Sequence, residues 1–136
     1  VKKISVPLFE NKTLVPRGEA LATNSVVDAI TNDGTYRIAS LREADAVLEG
    51  TMESITYSQV RSTRLDTLRS EEMENTVTLR WQLLDASTRK VLSTGKATGS
   101  SRFAIDANQQ TARQNALPDA LQRAATQVVG RLTDDF

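Results

Sequence analysis

Three carboxylates, Asp45, Glu49 and Glu53, share one parity in a stretch that reads as a strand. Positions on one strand face lie about 6.5 to 7 Å apart, a spacing that suits a general acid facing a general base. A solvated strand face explains the same three residues more simply, because no aromatic cluster or second acidic motif accompanies them. A second acidic group, Glu71, Glu72 and Glu74, could hold a cation. It lacks the alternating Asp spacing and the glycine of a calcium loop, so a solvated loop is the stronger reading. Basic residues form the third group. Arg61, Arg64 and Arg69 punctuate one polar segment, and Lys96 and Arg102 lie on a later strand. Guanidinium groups hold phosphates through paired hydrogen bonds. Pairing with the nearby Asp66, Glu71 and Glu72 is the competing use of the three arginines.

What is missing narrows the chemistry further. The chain has no histidine and no cysteine. That removes the commonest general base, the commonest metal ligand, thiolate sites and disulfides. No glycine-rich phosphate loop, no Gly-x-Ser-x-Gly and no lysine-bearing nucleotide motif occurs, and a Ser-His-Asp triad is impossible. The expectation is a protein without catalytic, cofactor or metal site. Seventeen basic and seventeen acidic residues cancel, and only six residues are aromatic. Such a chain lacks both the positive field and the stacking platforms of a nucleic-acid binder. No apolar run approaches the roughly 20 residues that span a bilayer. A targeting segment, if there is one, lies upstream of Val1.

The elements that would position these residues can be read from the hydrophobic period. At 136 residues the chain fits one domain, 1–136, large enough to bury a core without staples. Ile4, Val6 and Leu8 alternate with polar residues, which predicts an opening strand. Pro7 puts that strand at an edge, or itself at a bulge. Asn11-x-Thr13 matches a glycosylation acceptor, but a loop is the better reading. Residues 17–31 turn helical, with Leu21, Ala22, Ser25, Val26, Ala29 and Ile30 on one stripe and Gly34 as the stop. Residues 36–39 form a short strand, and Ser40 to Glu43 has the pattern of one capped turn. Residues 46–60 form a long strand whose apolar parity switches near Glu53-Ser54, which predicts a bulge or a twist. Residues 61–75 are a loop or the tip of an extended hairpin. Residues 76–84 are the clearest strand, with Val77, Leu79, Trp81 and Leu83 alternating with Thr78, Arg80 and Gln82. Residues 85–90 are a hairpin loop. The returning strand carries a set of small residues, Val91, Ser93, Gly95, Ala97 and Gly99, that lets a helix come close. Asp106 and Gln109 open a last helix with a long apolar stripe, interrupted by Pro118, which should kink the helix or begin its second half.

These elements give an α+β fold in β-α-β-β-β-β-α order. A mixed four- to five-stranded sheet carries two helices on one face and leaves the other face polar. Ile4, Val6, Leu21, Ile30, Ile38, Leu48, Val77, Leu79, Trp81, Leu121 and Val128 are the expected core.

The residues also resemble a known family. Val6-Pro7-Leu8-Phe9-Glu10-Asn11-Lys12-Thr13 is similar to the opening "VPxFxNxT" signature of the lipopolysaccharide-assembly lipoproteins, the LptE-like family. Ala44-Asp45-Ala46-Val47-Leu48-Glu49-Gly50 resembles its "ADxxLEG" segment. Residues 85–92 resemble its "D-x-x-T-x-K-V-L" hairpin, and Ala116-Leu117-Pro118-Asp119-Ala120 with residues 128–132 resembles its last helix. In order, these motifs cover nearly the whole chain. The resemblance implies two helices against a mixed sheet. It implies a protein at the periplasmic face of the outer membrane, held by a lipidated cysteine upstream of this sequence. It implies an LptD-type β-barrel translocon and lipopolysaccharide as partners, and an assembly role rather than an enzymatic one. It carries over no contact residues. The five basic residues Arg61, Arg64, Arg69, Lys96 and Arg102 are therefore a proposal for the lipopolysaccharide phosphates. The rival expectations are an interaction domain of another envelope complex with no lipid ligand, and an enzyme using Asp45, Glu49 and Glu53.

Overall fold

The structure, a computed structural model, describes residues 3–60, 72–104 and 109–135. Its elements run β1 (Lys3–Ser5), β2 (Glu10–Asn11), α1 (Gly18–Asp33), β3 (Arg37–Ile38), β4 (Ala46–Val60), β5 (Glu72–Asp85), β6 (Val91–Ala104) and α2 (Gln109–Asp135). They form one mixed sheet in the order β3-β1-β4-β5-β6, with β2 also paired to β4. β4, β5 and β6 are an antiparallel meander, while β1, β2 and β3 pair in parallel. The α+β class and mixed sheet are as expected. The sheet has six strands, one more than expected, because the opening segment supplies two.

Pro7 is the reason. Ser5 pairs with Val47 and Glu10 with Thr51, so five steps on one side match four on the other. Pro7 lies in this irregular stretch. It has no N–H for a ladder, and the opening strand is split around it. The expectation of an edge strand is corrected: β1 is internal, between β3 and β4. The bulge-like break at Pro7 is what the structure has.

A second irregularity sits in β4. Met52 pairs with Leu79 and Ser54 with Thr78, so Glu53 is an extra residue. A one-residue slip exchanges the faces of a strand. Without it Ile55 and Tyr57 would join the opposite face from Met52. With it, one face carries the rows Leu48–Leu83, Gly50–Trp81–Gly95, Met52–Leu79–Ala97 and Ile55–Val77–Gly99. The bulge predicted from the parity switch is thus present. β5 starts at Glu72, earlier than the period implied, so the meander reaches further than residues 76–84.

α1 ends on Gly34, whose φ of 82° and N–H bond to the Ile30 carbonyl make the expected stop. Ala22, Val26 and Ile30 of its stripe are fully buried. Its start has no side-chain cap: Arg17 takes φ 60°, and Asn11 organises the turn before it. The Asn11 amide donates to the Val15 carbonyl and to Glu19, and its oxygen accepts from the Thr13 N–H and hydroxyl. The Asn-x-Thr triplet is therefore a helix-entry turn. α2 runs through Pro118 without a break, with Pro118 on the exposed side. Its Ala120, Leu121, Ala124, Val128 and Leu132 are fully buried. Asp106, expected as its cap, lies outside the described residues. The Tyr36 hydroxyl donates to the Leu132 carbonyl at 3.2 Å and pins the end of α2. Burial, then the charge of Asp33, raises the Tyr36 phenol above its ordinary range.

Most of the expected core is core. Ile38 is the exception, at 40% exposed, because β3 is a two-residue edge strand and Tyr36 before it takes the buried position. Val6 and Leu21 are half-buried at the core margin. Val91 also departs from its expected set. Leu83 pairs with Ser93 but Leu84 with Val91, so the extra Leu92 turns Val91 to the other face, where it is exposed.

The close approach of α2 depends on Gly99. A Cβ there would collide with the backbone of Ala120 and Ala124, whereas one at Gly130 would meet nothing within 4 Å. Gly99→Ala should cost about 1 to 3 kcal/mol through overpacking, while Gly130→Ala, in the same helix layer, should gain about 0.5 to 1 kcal/mol. Urea unfolding of both variants checks this; equal midpoints would remove the packing argument.

Candidate functional site

The helices leave one sheet face open, and its residues follow from the register. They form the rows Glu49–Gln82–Thr94, Thr51–Arg80–Lys96, Ser54–Thr78–Thr98, Thr56–Thr76–Ser100 and Ser58–Glu74–Arg102. Nine of these fifteen side chains are serine or threonine. The Thr76 and Ser100 hydroxyls hydrogen-bond each other at 3.0 Å. Threonine suits a strand by its β-branch, and a hydroxyl can donate or accept toward a partner. The result is a polar surface with a few embedded charges, bordered at one end by the apolar row Val47–Leu84–Val91.

Those charges pair with each other. Arg80 donates Nε and Nη2 to the two oxygens of Glu53, both at 3.3 Å, and Lys96 approaches the same carboxylate at 3.9 Å. The Glu53 carboxyl is held below its ordinary range, first by the Arg80 hydrogen bond and then by the charges of Arg80, Lys96 and Lys12, against the effect of burial. Gln82 donates to Glu49 at 3.1 Å, and Arg89 reaches it at 3.6 Å. Arg102 pairs with Glu74, directly across the strands, at 3.4 Å. Every one of these cations is more than half exposed, so the pairs hold geometry more than they add stability.

The three candidate carboxylates do not form an acid–base pair. Asp45 precedes β4 and accepts the Lys3 N–H at 3.1 Å. Asp45, Glu49 and Glu53 are four residues apart in turn, two face positions, or about 13 Å in a strand. Glu53 also shifts the wrong way for a general acid, which needs a raised pKa. Glu74 binds Arg102, and Glu71 and the Glu72 side chain lie outside the described residues. No cluster of three metal-ligating groups occurs among the described residues. Lys96 and Arg102 both stand on the open face, each beside a carboxylate. Arg61, Arg64 and Arg69 lie outside the described residues.

Two features escaped the sequence. Arg80 and Lys12 join Lys96 around Glu53, and only the register and the Glu53 bulge bring them together. Asn75 is fully buried on the helix face, and neither atom of its amide has a hydrogen-bond partner among the described residues. Its strand parity with Val77 was the only available signal, and it marks burial without saying what the amide meets.

The hairpin after β5 fixes Arg89 beside Glu49. The Asp85 carboxylate accepts the N–H groups of Ser87 and Thr88 at 2.9 and 3.0 Å. These bonds, Thr88 first, lower its pKa. A lowered carboxyl stabilises the fold above its unfolded value of about 3.9, and the effect is lost as pH falls through the folded value. Asp85→Ala should therefore melt below wild type at pH 7, with the two converging toward pH 2. Parallel melting curves at all pH values would exclude this role.

Comparison with known proteins gives the same architecture. A family model described as "Lipopolysaccharide-assembly", LptE, matches residues 1–132. No curated protein matches the chain. Among solved structures, a hypothetical protein from Chlamydia trachomatis superposes with a TM-score of 0.67 at 9% identity, covering 96% of this chain and 95% of that one. A minor lipoprotein from Acinetobacter baumannii gives 0.65 at 12% identity, covering 98% and 94%. PelC from Paraburkholderia phytofirmans, solved as a dodecamer, gives 0.60 at 15% identity, covering 94% and 86%. At these identities the likeness is one of fold.

Proposed function

The chain belongs to the lipopolysaccharide-assembly family, LptE, and from that premise we propose a non-enzymatic factor that braces an LptD-type β-barrel translocon and assists lipopolysaccharide insertion into the outer leaflet. A place in the cell envelope follows from the family. The finer placement, at the periplasmic face of the outer membrane through a lipid anchor upstream of Val1, belongs to the proposal, as does the reading of residues 1–136 as one domain.

The observation that carries the proposal is the open sheet face. It is rich in hydroxyls, and its charges are internally paired. The lumen wall of a β-barrel is polar. Two such surfaces can meet through hydroxyl and backbone hydrogen bonds and bridging water, without burying an unpaired charge. The apolar stripes of both helices are already used in the core, so the helices are left to stiffen the sheet. Among the described residues no helix is long and apolar enough to cross a membrane.

The tested consequence is capture of a barrel. Tagged wild type should co-purify an LptD-type barrel from the outer membrane of its own source. Thr56→Arg with Thr78→Arg, which puts two unpaired cations on the open face, should lower the yield at least about tenfold with an unchanged melting temperature. Glu49→Gln with Glu53→Gln, which strips Arg89, Arg80 and Lys96 of their carboxylates on the open face, should lower capture in the same way, whereas Asp45→Asn, before β4, should leave capture intact if the fold holds. Loss of function on Asp45→Asn with an unchanged circular dichroism spectrum would reopen the enzyme reading. A different envelope partner with no lipid would favour the rival interaction domain.

The lipopolysaccharide contact is assigned to Arg61, Arg64 and Arg69, between β4 and β5, with Lys96 and Arg102 as weaker contributors. Arginines at the end of an extended hairpin can reach head-group phosphates beyond the sheet. A shielded charge-assisted bond contributes about 1.5 to 3 kcal/mol. Neutralising the three arginines to Gln should then weaken binding of labelled lipopolysaccharide about tenfold or more at low salt, with little change in melting temperature. Equal affinities of wild type and the triple variant at both low and high salt would remove the patch.

A further inference from the structure

We propose that the outer edge of β6 binds an extended, acidic segment of another protein chain as an added strand of the sheet. The inference concerns the sheet edge rather than the open face, and it does not rest on the translocon reading.

β6 ends the sheet beside β5 and spans Val91–Ala104. Its register with β5 is unbroken from Ser93 to Ala104, and it contains no proline. The opposite edge, β3, has two residues, too few to template a partner. The Thr98 N–H is bonded to the Gln127 side-chain oxygen at 3.1 Å, not to β5. In an antiparallel ladder, residues that bond the neighbouring strand alternate with residues that turn both backbone groups away. Thr98 therefore sets the parity, and Thr94, Lys96, Ser100 and Arg102 also turn N–H and C=O outward. Among the described residues nothing bonds the outward N–H groups of Lys96, Ser100 and Arg102. Gln127 stands on α2 and offers an amide carbonyl where an added strand would offer a peptide carbonyl. The edge is thus closed at one point by a stand-in for its guest and open on both sides of it. A hollow of about 460 Å³ wraps this edge, lined by Glu74, Ser100, Ser101, Arg102, Asp119 and Arg123.

Position and charge select the guest. Lys96 and Arg102 are the only charged residues of β6, and both side chains are more than half exposed on the open face. They would be direct cross-strand neighbours of an added strand, about 5 Å away between Cβ atoms. Their carboxylates lie further in. Glu74 is on β5 and Glu53 on β4, about 5 and 10 Å behind β6. On the helix side of the edge, Asp119 and Arg123 pair with each other at 3.4 Å. A strand with two acidic residues six positions apart would meet both cations, and Arg102 keeps donors for a second carboxylate. A second copy of this chain is the poorer guest. Antiparallel pairing of two β6 strands centred on Thr98 sets Lys96 of each copy diagonal to Arg102 of the other. Centred on Gly99, it sets them directly opposite, and like charges there are destabilising.

The test is a titration of the isotope-labelled full chain, followed by NMR. The probe is an extended peptide of about nine residues, built of Thr, Ser and Val with two Glu six positions apart. Saturable shifts and slowed amide exchange are expected at Lys96, Ser100 and Arg102. N-methylation of the alternate peptide residues that face β6 should cost about tenfold or more in affinity. The same peptide with Lys for Glu should bind about threefold or more weakly, and Lys96→Gln with Arg102→Gln should remove that difference. Gln127→Ala, at an exposed position, vacates the Thr98 N–H and should tighten binding about threefold. Absence of saturation, protection at β3 instead of β6, equal binding of the two peptides by wild type, or full affinity of the N-methylated peptide would overturn the proposal. So would weaker binding by Gln127→Ala, or a dimer that protects the β6 amides without peptide. No barrel enters this assay. Failure of the peptide leaves the translocon reading standing, and failure to capture a barrel leaves the edge site standing.

Discussion

Everything on the covered side of the sheet is arranged around one cross-strand row, Gly50–Trp81–Gly95. Each glycine gives up its side chain to an aromatic ring. A Cβ at Gly50 would collide with the Phe9 ring, and one at Gly95 would stand 2.8 Å from the Trp81 indole. Two large rings therefore lie low on the sheet, and both helices can close over them. The indole N–H has no hydrogen-bond partner among the described residues, which costs about 1 to 3 kcal/mol. Burying an aromatic side chain of 150 to 250 Å² is worth about 4 to 6 kcal/mol at roughly 25 cal/mol per Å². The ring wins, and the orphan donor is tolerated.

The same economy of small side chains continues along β6. Gly99 admits the backbone of α2 at Ala120 and Ala124, and this contact joins the last helix to the far edge of the meander. α2 then reaches back across the sheet to α1, and Tyr36 ties its end to the segment before β3. A helix pressed so closely on one face leaves nothing over to cover the second. The polar face is the counterpart of that packing, and its serines, threonines and paired charges can stay wet without penalty.

One extra residue couples the two faces. The Glu53 bulge keeps Ile55 and Val77 in the core row that ends on Gly99. The bulged side chain itself bonds to Arg80 on the open face.

Sequence alone determined the elements with strong periods and special residues. Gly34 marked the end of α1 because only glycine takes its positive φ freely, and the parity switch at Glu53 announced a bulge because a strand face repeats every second residue. The small residues of β6 announced a close helix. Ordered motifs across the whole chain announced the family. Tertiary structure decided what depends on partners distant in the chain. Pro7 could mark an edge or a break, and only pairing with β4 on both sides of it chose the break. The period put Ile38 in the core, and the position of β3 at the sheet edge gave that place to Tyr36 instead. Val91 shared a parity with Ser93 until the extra Leu92 reversed it. Asp45, Glu49 and Glu53 shared a parity as well, but their partners Lys3, Gln82, Arg89 and Arg80 come from three other parts of the fold. Local periodicity fixes which face a side chain takes, whereas the register between strands fixes what it meets there, and register is set by contacts that no local window contains.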